Sequence, residues 1–118
     1  LLGGAIMPGA AVSLEALSGT ASLLPRVSLE APRRCIGSGT IECMKSGAVF
    51  GAASAIDGMI DRMEAELGGK AAVVATGGLA QHIIPYCRHE IEIDDYMLLR
   101  GLSLIWQRNR RERRREAK

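Results

Sequence analysis

The longest regular pattern of hydrophobic residues in the chain begins just after Thr40 and ends before Gly68. Its apolar members recur every three or four residues over about seven turns of 3.6 residues each; they are Ile41, Met44, Ala48, Ala52, Ala55, Met59, Met63 and Leu67. Thr40 can cap the first turn, and Glu42 lies near the positive end of the helix dipole. With Gly68 as the stop signal, the pattern predicts one long amphipathic helix.

Three glycines, Gly47, Gly51 and Gly58, interrupt this predicted helix. A glycine in a helix interior costs about 1 kcal/mol relative to alanine, so another interaction should compensate for each of them. We therefore expect a second helix or strand to approach this face closely, and a dimer interface is the expected place.

Short apolar runs alternate with turn residues after the long helix. Residues 71–75 form a continuous run of small apolar residues that includes two valines, which favours a buried central strand. Thr76-Gly77-Gly78 then turns the chain into a predicted helix over residues 79–87, and residues 90–93 predict a second short strand.

A final helix follows, with Asp94 and Asp95 placed to cap it. Its predicted inner side consists of Leu98, Leu99, Leu102, Ile105 and Trp106. Residues 107–118 carry seven basic and two acidic side chains and a charge of +5, whereas the rest of the chain carries −3. The basic character of the chain therefore lies wholly in these residues.

The N-terminal part is less regular. Residues 1–7 predict the end of a strand, and residues 11–24 predict a helix that Pro25 stops. Residues 26–31 alternate between apolar and polar side chains, which predicts a short strand, and residues 32–39 form a loop. The alternation of helices and strands along the chain favours an α/β sheet with helices packed on it.

Composition limits the class of protein. An apolar fraction of 47% in 118 residues suffices for one small globular domain. The three cysteines include no Cys-x-x-Cys pair, which fits a reduced, cytoplasmic setting better than a disulfide scaffold. The uncharged stretch of the long helix, residues 46–56, is too short to cross a bilayer. The chain opens without an initiator methionine, as the middle of a longer protein would.

Few side chains suggest chemistry on their own. Asp57 and Asp61 lie one turn apart and could act as a carboxylate pair, although a position on the helix exterior explains them more simply. Thr76-Gly77-Gly78 follows a predicted strand, where glycines let a ligand approach the backbone, but most turns of this kind bind nothing. Three residues of types that can bind a metal lie close together in the sequence, namely His82, Cys87 and His89. Their spacing matches no familiar zinc site.

Five short motifs together resemble one known family, the type III pantothenate kinases. Gly3-Gly4-Ala5-Ile6-Met7-Pro8-Gly9 is similar to the Gly-Gly-x-Ile-x-Pro-Gly signature of that family, and Leu24-Pro25-Arg26-Val27 to the segment that follows it. Gly37-Ser38-Gly39-Thr40 resembles the Gly-x-x-Thr segment before a long helix, and Thr76-Gly77-Gly78 the Thr-Gly-Gly turn. The order and spacing agree from residue 1 to about residue 110, where residues 98–110 resemble the terminal helix. The resemblance thus implies one domain over residues 1–110, with residues 111–118 as a basic tail outside it.

The resemblance implies an α/β fold of the ribonuclease-H-like type, which is shared by the ASKHA (actin-like ATPase) superfamily. This chain would be the C-terminal one of the two such domains in the family. The implied reaction is the transfer of the γ-phosphate of ATP to pantothenate, the first step of coenzyme A biosynthesis. The family also implies Mg²⁺, a monovalent cation such as K⁺, and a homodimer that holds pantothenate where the two protomers meet.

The same resemblance indicates which parts of the site to expect here. The phosphate loop, the catalytic Asp and the cation-binding Asp of the family lie upstream of the first motif, so we expect no catalytic residue and no metal ligand in this chain, and no activity from the chain alone. Thr40 is the implied substrate-binding residue, because its hydroxyl would hydrogen-bond pantothenate. Gly77 and Gly78 would lie near the nucleotide.

Two other classes of function compete with the kinase. One is a non-catalytic ASKHA-like accessory or regulatory module, which the sequence upstream of residue 1 would distinguish from the kinase. The other is a nucleic-acid-binding protein, suggested by the arginine-rich tail. The body of the chain lacks a basic face and interleaved aromatic residues, so we expect no nucleic-acid partner and no membrane partner.

Overall fold

The computed structural model describes residues 1–20 and 23–116 of the chain. These residues form a mixed α/β arrangement in which helices dominate. The regular elements, in chain order, are helix α1 (Ala10–Thr20), helix α2 (Thr40–Ser46), a π-helical segment (Gly47–Gly51), helix α3 (Ala52–Leu67), strand β1 (Val74–Ala75), helix α4 (Ala80–Ile83), a 3-10 turn (Ile84–Tyr86), strand β2 (Glu92–Ile93) and helix α5 (Met97–Glu116).

The long helix predicted after Thr40 is present as α2, the π-helical segment and α3, which follow one another without a break. It ends as predicted: Gly68 adopts the left-handed conformation (φ 74°, ψ 22°) and its amide donates to the carbonyl of Glu64. Only glycine reaches this conformation without strain from a side chain. The helix and its C-terminal end are therefore confirmed.

The glycines of this helix have open space around them. A Cβ atom placed on Gly47, Gly51 or Gly58 meets no atom within 4 Å. Among the described residues, no second element of this chain packs closely on them. The glycines do not serve a close helix crossing within the chain, and the predicted dimer interface on this face stays a prediction.

Strands β1 and β2 lie side by side as a parallel pair, with Val74 opposite Glu92 and Ala75 opposite Ile93. The amide of Glu92 donates to the carbonyl of Val73 at 3.0 Å, and that of Asp94 to the carbonyl of Ala75 at 2.9 Å. Both predicted strands exist but are shorter than predicted. Val74 is 42% exposed, so the prediction of a buried central strand is wrong: with only two strands in the described sheet, neither can be central.

The two strands predicted in the N-terminal part do not form. Residues 1–9 and 23–39 contain no strand. A strand needs a partner for its backbone hydrogen bonds, and the only described sheet consists of β1 and β2. Helix α1 begins one residue before the predicted start. Of the predicted continuation to residue 24, Ala21 and Ser22 lie outside the described residues, and Leu23 and Leu24 are not helical.

The core is centred on the first half of the long helix. Val49, in the π-helical segment, is fully buried. Two clusters of buried apolar side chains join this region to its neighbours: Ala53 packs with Ala10 and Ile83 in one, and Met44 and Ala48 pack with Leu14 in the other. Loop residues cover both clusters, namely Leu24, Val27 and Leu29. The predicted short strand over residues 26–31 thus supplies core side chains without forming a strand.

The C-terminal part departs from the prediction in two places. Helix α4 stops at Ile83 and continues as a 3-10 turn, because Pro85 lacks the amide that an α-helix needs. The ring of Tyr86 in that turn contacts Phe50 edge to face, with centroids 5.3 Å apart. Helix α5 forms as predicted, but its predicted inner side is exposed: Leu98, Leu99, Leu102, Ile105 and Trp106 are all between 54% and 71% accessible.

Helix α5 begins close to the predicted cap. The carboxylate of Asp94 accepts a hydrogen bond from the amide of Tyr96 at 3.0 Å and also pairs with the guanidinium of Arg100. The helix continues without a break past residue 110 to Glu116. The division between a domain that ends at residue 110 and a separate tail stays a prediction, and Ala117 and Lys118 of that tail lie outside the described residues.

Candidate functional site at the start of the long helix

Thr40 is the first residue of helix α2, and its side chain is exposed. The N-cap is Gly39, whose backbone is extended (φ −147°, ψ 166°) and whose carbonyl accepts the first helical hydrogen bond, from the amide of Cys43, at 2.9 Å. No side chain caps this helix end. The prediction that Thr40 caps the helix is therefore wrong by one residue, and Thr40 is the first residue after the cap.

The loop before Thr40 is held by a carboxylate from the first turn of the helix. One oxygen of Glu42, Oε2, accepts hydrogen bonds from the amide of Ser38 at 3.0 Å and from its hydroxyl at 2.7 Å. The bonds from the Ser38 hydroxyl and amide hold the pKa of Glu42 below its ordinary value. This contact resembles a capping box, in which a residue of the first turn reaches back to the chain that enters the helix.

Further contacts attach the same loop to the helix surface. The thiol of Cys43 donates to the carbonyl of Gly37 at 3.5 Å, and the hydroxyl of Ser46, one turn later, donates to the carbonyl of Cys35. Gly37 lies so close to the helix that a Cβ atom there would be 2.6 Å from the amide nitrogen of Cys43. Residues 35–39 thus run along the first turns of α2, with Thr40 directly after them.

Gly77 and Gly78 lie elsewhere on the fold, in the turn that follows β1. Gly77 has a φ of 106°, which favours glycine, and its carbonyl accepts a hydrogen bond from the amide of Ala80 at 3.0 Å. Both glycines are exposed. The helix that they precede packs through Ile83 against Ala53, which lies about 20 Å from Thr40 along the long helix at 1.5 Å per residue. The described residues do not bring Thr40 into contact with the glycine turn.

Asp57 is buried rather than on the helix exterior, so that interpretation of it is wrong. Its side chain is 3% exposed. Its two oxygens accept hydrogen bonds from the amide of Arg88, at 3.0 and 2.9 Å, and Oδ1 also accepts one from the amide of His89 at 3.1 Å. Burial raises the pKa of Asp57, but the hydrogen bonds from these amides and the charges of His89 and Arg88 outweigh it, so that the pKa lies below its ordinary value.

Two more carboxylates of α3, those of Asp61 and Glu64, also contact segments that follow the helix. Oδ1 of Asp61 lies 2.8 Å from Nε2 of His89. Glu64, buried on the next turn, accepts a hydrogen bond from the amide of Ala71 at 3.0 Å and pairs with the ammonium of Lys70 at 2.8 Å. The three acids hold the segments that lead into β1 and β2. They form a structural clamp between α3 and these segments. The arrangement does not provide a carboxylate pair for catalysis.

The hydrophobic and charge patterns of the sequence did not predict this clamp. The one available signal was the spacing of Asp57, Asp61 and Glu64, which places three acids on one helix face at intervals of four and three residues. Spacing alone does not show that the acids face inward. Their partners are main-chain amides, and main-chain amides carry no signature in the sequence.

Of the three residues considered as metal ligands, two contact other groups and the third is exposed. The thiol of Cys87 contacts the carbonyls of Ala53 and Ile83, and burial raises its pKa. His89 pairs with Asp61, and His82 is exposed on α4. Within residues 1–20 and 23–116, no group of three His, Cys, Asp or Glu side chains is arranged to hold a metal. In the same residues, no helix has the length and apolar character needed to span a membrane.

Comparison with known proteins places the chain in a family. A family model described as type III pantothenate kinase matches residues 1–62. The type III pantothenate kinase of Moorella thermoacetica is 46% identical over 108 residues, which cover 92% of this chain and 42% of that protein. The enzyme of the same name from Mycobacteroides abscessus is 41% identical over 121 residues, covering 99% of this chain and 45% of that protein.

A third relative, from Pelobacter propionicus, carries the same name and is 44% identical over 108 residues, or 42% of its own length. The chain therefore spans less than half the length of the relatives that it matches. Because the family model covers more than half of the chain and the identity to these relatives extends along nearly all of it, the chain belongs to the type III pantothenate kinase family.

Proposed function

We propose that this chain is the C-terminal part of a kinase that transfers the γ-phosphate of ATP to pantothenate, the first step of coenzyme A biosynthesis. The observation that carries the proposal is the identity of 41–46% to type III pantothenate kinases along 92–99% of the chain. The chain would form the C-terminal ribonuclease-H-like domain of an ASKHA protein. Its parallel strand pair and the alternation of helices and strands along the chain support that assignment.

Within this chain, Thr40 is the residue proposed to contact pantothenate. Its side chain is exposed at the start of the long helix, and no capping role occupies its hydroxyl. A hydroxyl can both donate and accept a hydrogen bond, which suits the hydroxyl, amide and carboxylate groups of pantothenate. The contacts that fix residues 35–39 on the helix hold the backbone in front of Thr40, as a substrate-binding residue requires.

The remaining parts of the proposed reaction fall to other residues. We place Gly77 and Gly78 near ATP, because an exposed turn with glycines lets a phosphate or a base approach the backbone. Asp57 and Glu64 already bind backbone amides, so neither is offered as the group that orients the attacking hydroxyl. We propose that the ligands of Mg²⁺ and of the monovalent cation lie mostly in the other part of the kinase, and we derive no step through either ion.

Other elements of the proposal come from the family. We propose a cytoplasmic homodimer with pantothenate bound where the two protomers meet. The open surface around Gly47, Gly51 and Gly58 supports this, because a second protomer could approach the backbone closely there. The competing function is a non-catalytic accessory module with the same fold, and an enzyme assay separates the two.

The experiment compares two substitutions in the full-length protein. Thr40→Ser keeps a hydroxyl and should nearly preserve the affinity for pantothenate. Thr40→Asn replaces the hydroxyl with an amide and should weaken pantothenate binding by roughly five- to a hundred-and-fifty-fold, the equivalent of about 1–3 kcal/mol for one hydrogen bond in a desolvated site. The affinity for ATP should change little.

Stability serves as the control. Since Gly39 is the N-cap, both variants should unfold at nearly the temperature of the parent protein. Equal pantothenate affinity in the Asn variant and the parent would remove Thr40 from the site. A full-length protein that phosphorylates no pantothenate in the presence of ATP would favour the accessory module instead.

A further inference from the structure

We infer that Glu42 is a positioning residue for pantothenate binding: its carboxylate, bonded to Ser38, fixes the loop that presents the Thr40 hydroxyl. The inference rests on the proposed function, because it needs Thr40 as a ligand, and it adds a residue that the resemblance does not include. Glu42 itself would touch no substrate atom.

The geometry that carries the inference is a bridge across Thr40. Ser38 precedes Thr40 by two residues and Glu42 follows it by two. Both hydrogen bonds of Ser38, from its amide at 3.0 Å and its hydroxyl at 2.7 Å, converge on the same carboxylate oxygen of Glu42. Two donors on one charged acceptor form a stronger contact than a neutral pair does.

Gly39 lies between the two residues that the bridge joins, Ser38 and Glu42, and its backbone needs the constraint that the bridge provides. Gly39, between Ser38 and Thr40, makes no side-chain contact, and a Cβ placed on it would meet nothing within 4 Å. A glycine samples more backbone conformations than any other residue. Without the bridge, packing would not restrict Gly39. Two hydrogen bonds would still hold the loop next to Thr40, from the amide of Cys43 to the carbonyl of Gly39 and from the thiol of Cys43 to the carbonyl of Gly37, and neither involves a charged group.

The location of the bridge argues that it serves the loop more than the core. Ser38, Glu42 and Thr40 are all exposed, so the bridge buries no apolar surface. The core clusters of this helix lie further along, at Met44, Ala48 and Ala53. Ordering a binding segment before the ligand arrives improves affinity, since the entropy cost of ordering has already been met in the free protein.

A purely structural role predicts a different result. If Glu42 only supports the helix end, as a capping-box residue does, its removal lowers the unfolding temperature and leaves substrate kinetics as they were. If Glu42 positions Thr40, its removal raises KM for pantothenate while kcat and KM for ATP stay close to those of the parent. The split between the two substrates is the readout that helix stability alone would not produce.

The test uses steady-state kinetics of the full-length enzyme with three variants at the bridge. Glu42→Ala should raise KM for pantothenate by about 5- to 20-fold, since both bonds to a charged acceptor are lost. Glu42→Gln keeps an acceptor oxygen without the charge and should restore part of the affinity. Ser38→Ala removes only the hydroxyl bond and should have a smaller effect, of about 2- to 5-fold. Glu66→Ala, which removes an exposed glutamate from α3, is the matched control and should behave like the parent.

The outcomes separate the two levels of the argument. An active parent whose Glu42→Ala variant keeps the parental KM for pantothenate, or raises KM for ATP by the same factor, overturns the role of Glu42 and leaves the proposed function intact. If Glu42→Ala does not fold, Ser38→Ala decides, and an unchanged KM for pantothenate in that variant overturns the inference. A parent that shows no ATP-dependent phosphorylation of pantothenate overturns the proposed function, and the inference with it.

Discussion

The central helix, residues 40–67, and the terminal helix α5 have similar sequence patterns but very different surroundings. Both carry a stripe of apolar residues at helical spacing. In the central helix the predicted stripe is buried only in its first half, at Met44 and Ala48, and its last members, Met63 and Leu67, are 42% and 56% exposed. Beyond the π-helical segment the buried face passes through Ala53 and Ile60, which are outside the predicted stripe. In α5 the stripe faces outward, and Leu98 is 71% exposed. Apolar residues at helical spacing predict a helix, but they do not show which face the fold buries or what covers that face.

The polar sides of the two helices differ as well. Carboxylates of the central helix bind other segments of the chain: Glu42 holds Ser38, Asp57 holds Arg88 and His89, and Glu64 holds Ala71. The charged groups near the end of α5 pair within their own helix. Arg108 contacts Glu112 at 3.1 Å, and the guanidinium of Arg110 lies over the ring of Trp106. Substitutions in the central helix should therefore have the larger effects.

Among the polar contacts, the largest effect is expected at Asp57. Replacing it by Asn should lower the free energy of unfolding by roughly 2–4 kcal/mol, because the amides of Arg88 and His89 would then face an amide group in place of a buried carboxylate. Urea unfolding measures the change. Asp61→Asn is the control: its side chain is 61% exposed, and the loss should stay within about 1 kcal/mol. Equal losses in the two variants would contradict the clamp.

The same carboxylate makes stability depend on pH in a definite direction. The pKa of Asp57 in the folded chain lies below its ordinary value, which is about 3.9. The stabilisation is then fully present above that value and is lost as the pH falls through the lower folded pKa. The Asn variant should lack this part of the acid dependence, which unfolding curves between neutral pH and about pH 3 would reveal.

A smaller but still clear effect is expected at Gly37. A Cβ atom there would lie 2.6 Å from the amide nitrogen of Cys43 and 2.8 Å from the carbonyl carbon of Glu42, both main-chain atoms of α2 that cannot turn away. Gly37→Ala should therefore cost about 1–3 kcal/mol through overpacking.

Gly39→Ala provides the matched control in the same loop. No atom lies within 4 Å of its Cβ position, and its extended backbone suits any residue, so its unfolding temperature should stay near that of the parent. The reverse order of the two effects would mean that the loop does not lie along the helix as described.

The sequence alone could predict the elements that local physics determines. The central helix, its end at Gly68, the two parallel strands and the final helix all follow from hydrophobic spacing and glycine positions. The predicted strands over residues 1–7 and 26–31 failed for a non-local reason, because a strand exists only with a partner and none lies beside them in the described sheet. Pro85 could have signalled the early end of α4, since its ring removes a helical hydrogen bond.

The role of Thr40 as a ligand stays a prediction, and the contacts around it were not predictable from the sequence. The Gly-x-x-Thr resemblance singled out Thr40, and the structure places that side chain in an exposed position after a fixed loop. The Ser38–Glu42 bridge and the role of Gly39 as N-cap depend on which backbone groups lie within reach. A difference of one residue at a helix start changes the role of a side chain, and sequence patterns do not resolve that difference.

The smallest effect is expected on the apolar face of α5. Leu102→Gln should change the free energy of unfolding of the chain by no more than about 0.5 kcal/mol, as for other surface positions, because Leu102 is 54% exposed. The same change at Ile60, which is 8% exposed on α3, should cost about 2–5 kcal/mol through a lost apolar contact and a buried amide. Urea unfolding of both variants gives the comparison. Sedimentation adds a second readout, because an uncovered apolar face promotes association and Leu102→Gln should reduce it. If Leu102→Gln destabilises the chain as much as Ile60→Gln does, then α5 packs against the chain in solution and the contrast between the two helices is lost.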